Sequence, residues 1–160
     1  MKKLLYKAAY SNGQWIENAL FTLSHDGTIQ SISSLPSFQY QGADVFSGLA
    51  VPSFVNSHSH AFQYAMIGET ENLPVGAKGD NFWSWRERMY DLALQTSPDS
   101  LYTIALRLYR SLLQCGFGTV VEFHYLHHAP DGTPYRNPAA MGESLIQAAK
   151  DSGIDICLVP

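Results

Sequence analysis

The sequence predicts an α/β chain in two parts, a small antiparallel β element over residues 1–48 and alternating strands and helices over residues 49–160. Two observations carry this reading. Asn12-Gly13 and Asp26-Gly27 punctuate short apolar runs near the start, and such dipeptides mark hairpins because the central turn positions favour positive φ. After Leu49 the order becomes strand, helix, strand, helix, strand, which builds a parallel sheet because each strand needs a helical crossover to start again from the same end. No internal repeat or low-complexity tract interrupts either part.

Leu4 to Tyr10, Trp15 to Leu23 and Ile29 to Ile32 are the strands of the first part, and residues 35–48 are turn-rich. Leu49 to Val55 is a mostly apolar run that ends in Asn56-Ser57-His58-Ser59-His60, the pattern of a buried strand with polar residues at its C-terminal tip. A glycine-containing loop through Gly68, Gly76 and Gly79 follows. The aromatic segment Phe82 to Tyr90 then starts a helix. Ser97-Pro98 supplies an N-cap and a first-turn proline, and Leu101, Ile104, Leu108 and Leu112 repeat at helical spacing as far as Gly116. Gly118 to Tyr125 is the second strand. Asn137-Pro138 opens a helix that Gly153 stops, and Ile154 to Val159 is the third strand.

Composition excludes several classes of function. A net charge of −4 offers no basic face for a nucleic-acid backbone. The apolar run at Leu4-Leu5 stops at Lys7 and no long hydrophobic segment follows, so export and membrane spanning are not expected and a cytoplasmic location is. Cys115 and Cys157 lie in separate apolar stretches with no CxxC pair, and read as reduced core residues. Only 15% of residues are charged, which predicts apolar surface, and a three-stranded sheet has open edges; both favour association.

His58-Ser59-His60 is the strongest chemical signal. On a strand, residues two apart project to one side about 6–7 Å apart, close enough for two imidazoles to share a metal ion, while Ser59 faces away. Strand tips are also where parallel α/β folds place their active sites. Two ligands are too few for a catalytic zinc, which takes at least three. His124, His127 and His128 sit at and beyond the tip of the second strand. They read as hydrogen-bonded structural residues rather than ligands, and His124 and Tyr125 must face opposite sides. His25 reads as a surface residue. On spacing, Arg86 among Trp83 and Trp85 reads first as a solvated arginine beside plain core packing, with a planar, bidentate contact to a substrate carboxylate as the alternative.

The segment Val51 to Gln63 resembles the first barrel strand of the amidohydrolase superfamily, and its His60-Ala61-Phe62-Gln63 continuation is similar to the formimidoylglutamate deiminases. Asn81 to Tyr90, Glu122 to His128, and Asp131-Gly132-Thr133-Pro134-Tyr135 resemble further blocks of that family in the same order. The resemblance implies a partial (β/α)8 barrel of TIM type, containing the first three β/α units. It implies that His58 and His60 are two ligands of a single zinc ion. It also implies that Gln63, Arg86 and Tyr125 bind the glutamate portion of the substrate, with Arg86 and Tyr125 at its carboxylate.

The implied reaction is hydrolysis of N-formimino-L-glutamate to N-formyl-L-glutamate and ammonia, a step of histidine degradation, in a full-length protein expected to be a homodimer. One departure is Ser53, where the family more usually has glycine after the proline; it is expected to alter packing without moving the histidines. The larger departure is that the family's remaining ligands and its catalytic residues come from later strands. The 160-residue chain is therefore expected to hold no complete metal site, no catalytic residue and little activity. The alternatives are an aminohydrolase acting on a purine or guanine-type ring, and a non-catalytic fragment that binds a metal or a partner.

Overall fold

In the computed structural model of the chain, which describes residues 1–68 and 82–160, Asn12 and Gly13 both adopt positive φ, 51° and 81°. Their turn folds β1 (Lys2–Ser11) back on β2 (Gln14–Leu23) in a regular antiparallel register. The second turn works differently. Only Gly27 has positive φ there, and the Asp26 carboxylate accepts from the Ser24 hydroxyl and from the Thr28 amide, so a side chain closes the link to β3 (Ile29–Ser34).

The element is not purely antiparallel, in contrast to the expectation from its hairpins. Asp44–Ala50 forms a fourth strand, β4, which pairs parallel to β1 and completes the order β3-β2-β1-β4. The apolar run that read as one strand from Leu49 to Val55 is accordingly two. Pro52 has no N–H to give to a ladder, and β4 ends before it while β5 (Phe54–Ser59) begins after it. The chain divides into compact units at that point, Met1–Pro52 and Ser53–Pro160, past the boundary expected at residue 48. Leu5, Ala9, Ala19 and Leu20 are buried in the first unit. Tyr6 stacks on Phe46 at 4.9 Å and meets Phe21 edge-on at 5.5 Å.

The second unit is a parallel sheet, β5-β6-β7, with β6 at Phe117–Phe123 and β7 at Asp155–Val159. A 3₁₀ helix, Ala61–Met66, follows β5 directly. Then come α1 (Phe82–Ala93), α2 (Pro98–Gln114) and, between β6 and β7, α3 (Ala140–Ser152). Gly76, Gly79 and Asn81 lie outside the described residues. Ser97 caps α2 through a reciprocal pair of bonds with Ser100, with Pro98 in the first turn, as the sequence predicts. Gly153 ends α3 at φ 85°. Among the described residues no helix is long and apolar enough to cross a membrane.

The pleat divides the sheet's two faces. Val120, Glu122 and His124 are buried on the side of α2 and α3, where Leu101, Ala105, Tyr109, Met141 and Leu145 build the core. Phe123 and Tyr125 point the other way and are exposed, as are Phe54 on β5 and its neighbour Val55. Neither cysteine belongs to the core, against the sequence reading. Cys115 follows α2 at its exposed C-terminal end, and Cys157 pairs in register with Val121 and is exposed; both are free thiols. An apolar stretch reports burial only when its own face is covered, and these two positions fall outside the covered face.

Candidate metal centre

Strand alternation aims His58 and His60 to one side at the tip of β5, and their Nε2 atoms converge to 3.0 Å. The rings meet edge to face at 4.9 Å between centroids. Nitrogens this close could both reach one ion at the usual Zn–N distance of about 2.0–2.1 Å. The donor set fits in a second respect. His60 Nδ1 lies 3.1 Å from the Phe123 carbonyl oxygen. With its hydrogen on Nδ1, His60 donates to that carbonyl and keeps the Nε2 lone pair directed at His58, the arrangement by which outer partners orient ligating imidazoles. Among the described residues no group of three or more His, Cys, Asp or Glu side chains could hold a metal.

Ser59 projects to the opposite face and is buried. There it hydrogen-bonds Glu122, which is 1% exposed and whose Oε1 also accepts from the Ala61 amide at 2.5 Å. The Tyr109 hydroxyl donates to Oε2 at 3.4 Å. Burial raises the Glu122 carboxyl above its ordinary value, and bonds from Ser59, Ala61 and Tyr109 oppose that shift. Burial also raises the Tyr109 phenol, reinforced by Glu122, so Tyr109 stays a donor.

Gln63 and Tyr125 are brought together beside the histidines. Tyr125 packs against the His60 ring at 5.1 Å, and Gln63 Nε2 donates to its hydroxyl at 2.9 Å. Met89 of α1 touches both, with Sδ 3.4 Å from Gln63 Nε2 and 3.8 Å from the Tyr125 oxygen. Burial raises the Tyr125 phenol, so it keeps its hydrogen at neutral pH. Arg86 lies one turn before Met89 on the same helix. Its Nε donates to Tyr90 at 2.7 Å, and the guanidinium sits over the Tyr90 and Trp83 rings at 5.1 and 5.9 Å.

His124 and His127 form a separate pair on the helix side. Their rings are 4.6 Å apart, His124 is buried near Gly142 of α3, and burial together with the charge of His127 brings His124 down to about 4. His128 lies on the following loop, in an isolated bridge to Pro134. Sequence reasoning missed Glu122, Tyr109 and Met89 as parts of the site. For Glu122 a signal existed, because it shares the buried parity of Val120 in an apolar strand, and a carboxylate there needs partners. Tyr109 and Met89 carry no such mark, since both sit at ordinary core spacing.

Residues 49–159 match the amidohydrolase family. The chain is 40% identical over 146 residues to the formimidoylglutamate deiminase of Pseudomonas aeruginosa, a match that covers 91% of this chain and 31% of that protein. Its fold superposes on the crystal structure of an amidohydrolase from Brucella melitensis with a TM-score of 0.91 and 38% identity, over 100% of this chain and 35% of that one. A mutant atrazine chlorohydrolase from Arthrobacter aurescens, crystallised with zinc and atraton, shares the fold at a TM-score of 0.76 and 20% identity, over 100% of this chain and 35% of its own. The chain thus spans about a third of the length of the relatives it matches.

Proposed function

This chain belongs to the amidohydrolase family, and on that premise we propose that the protein containing it is a zinc-dependent formimidoylglutamate deiminase. The reaction is hydrolysis of N-formimino-L-glutamate to N-formyl-L-glutamate and ammonia. In this reading β5, β6 and β7 are the first three strands of a (β/α)8 barrel. The full-length protein would supply the remaining ligands and the groups that transfer protons.

One continuity of contacts carries the proposal. His58 meets His60, His60 meets Tyr125, and Tyr125 meets Gln63, so the pair that would hold the ion adjoins the pair that would hold the substrate. His58 and His60 would hold a divalent ion, which would supply Lewis-acid activation of water near neutral pH. Tyr125 accepts from Gln63 through its oxygen and turns its own hydrogen to Met89 Sδ at 3.8 Å, a weak acceptor that a substrate carboxylate would displace. Arg86 uses Nε for Tyr90, so its planar Nη pair is the edge that would meet a carboxylate in bidentate fashion. Gln63 fixes the Tyr125 hydroxyl, and both meet Met89 of α1. Together these groups suit a linear substrate with an acid at one end and an amidine at the other.

The test is steady-state turnover of N-formimino-L-glutamate and of guanine by the full-length protein. The proposal expects turnover of the first only, and a rise in its KM of about 10-fold or more on Arg86→Lys with a smaller change in kcat. Preferential deamination of guanine, or an Arg86→Lys variant with unchanged KM, would overturn it.

A further inference from the structure

We propose that Glu122 is a positioning residue for the metal centre, whose buried carboxylate clamps the main chain on both sides of His60 and so aims that imidazole at His58. The inference rests on reading His58 and His60 as metal ligands.

The ladder fails where His60 needs support. The register between β5 and β6 is irregular between Asn56 and Ser59, Ser59 with Glu122 is the last pair, and His60 lies beyond the strand. His60 is instead the N-cap of the 3₁₀ helix, at φ −133° and ψ 84°, and no side chain of its own segment caps that helix. Glu122 replaces both missing supports. Its Oε1 takes the Ala61 amide, an orphan donor of the first helical turn, and the same carboxylate takes the Ser59 hydroxyl. Two of its donors therefore flank His60 in sequence. Tyr109, fully buried on α2, holds the carboxylate from behind.

The neighbouring residue of β6 completes the arrangement. The Phe123 carbonyl holds His60 Nδ1, so Glu122 sets the main chain of His60 and Phe123 sets the rotation of its ring. Glu122 itself lies on the opposite face of the sheet from the two imidazoles, and so acts on the ion only through His60. A fully buried carboxylate is costly where an apolar side chain would fill the same space. Its placement against the residues on either side of His60 is what a positioning role requires.

The test measures two quantities in the full-length protein, the hydrogen-exchange rate of the Ala61 amide without metal and the affinity for Co²⁺. Variants are Glu122→Ala, Glu122→Gln, His60→Ala and, as a control of similar thermal cost in the α3 core, Leu145→Ala. Glu122→Ala is expected to raise Ala61 exchange and to lower Co²⁺ affinity, each by about 10-fold or more. Glu122→Gln keeps an oxygen for Ala61 and should recover most of both. Leu145→Ala should change each by less than about threefold after correction for global stability. If Glu122→Ala does not fold, Ser59→Ala substitutes for it, with about threefold expected in each quantity. Equal effects of Glu122→Ala and Leu145→Ala, or no effect of Ser59→Ala, would overturn the inference. If His60→Ala leaves Co²⁺ affinity intact, the ligand assignment fails instead, and the Ala61 exchange still reports the clamp by itself.

Discussion

The tips of β5 and β6 each carry two histidine rings in contact, yet the two pairs have opposite characters. At β5, His58 is exposed and His60 half-buried, their Nε2 atoms face each other, and a backbone carbonyl orients one ring from outside. At β6, His124 is buried against α3, and His127 packs on it edge-on. Side-chain parity makes the difference. A position of one parity opens toward solvent and a ligand, while the other opens into the helix layer, where an imidazole must stay neutral. Two histidines in contact therefore do not mark a metal site until the face they occupy is known.

The largest effect that separates the two pairs concerns metal affinity. His58→Ala or His60→Ala in the full-length protein should weaken zinc binding by about 100-fold or more, whereas His124→Ala should change it by less than about threefold. Competition with a chromophoric chelator reads both, and equal losses from the two tips would break the distinction.

The foot of β5 and β6 offers a comparison with their tips, in stability rather than binding. A Cβ at Gly118 would come within 2.5 Å of the Ser53 oxygen and 2.9 Å of its Cβ. Gly118→Ala should therefore cost about 1–3 kcal/mol in chemical denaturation, and adding Ser53→Gly should restore most of it. Zinc affinity corrected for folding should not follow. A loss that Ser53→Gly leaves in place would show that Gly118 is needed for another reason.

The smallest effect is the acid response of His124. The unfolded chain takes up this proton near 6.5 and the folded chain only at about 4, so the unfolded state binds more protons between those values. Stability falls as pH drops through that window and is level with respect to this group above it. His124→Gln should flatten the stability profile between pH 6.5 and 4 by on the order of 1–2 kcal/mol. Glu122 is common to both proteins and cancels in the comparison. Parallel profiles would mean that His124 is not held neutral by its burial.

Much of this was legible in the residues. The α/β alternation, the cap of α2 at Ser97, the turn at Asn12-Gly13 and the shared face of His58 and His60 all follow from local stereochemistry, which neighbours in sequence dictate. The parallel placement of β4 beside β1 was not legible, because strand order is set by which edges remain free once the hairpins close. The cysteines were misread for a related reason, since their surroundings in sequence are apolar while the faces they occupy are open.

By itself, then, the sequence determined which residues could converge, through the twofold alternation that puts His58 and His60 on one side and Ser59 on the other. Only the tertiary structure decided what stands behind them. The Phe123 carbonyl meets His60 from 63 positions away, Glu122 meets the adjoining Ala61 amide from 61 away, and Tyr109 on another element meets Glu122. Contacts of that kind depend on the register of β5 against β6 and on the seating of α2, which arise from the packing of the whole unit and leave no periodic trace in the chain.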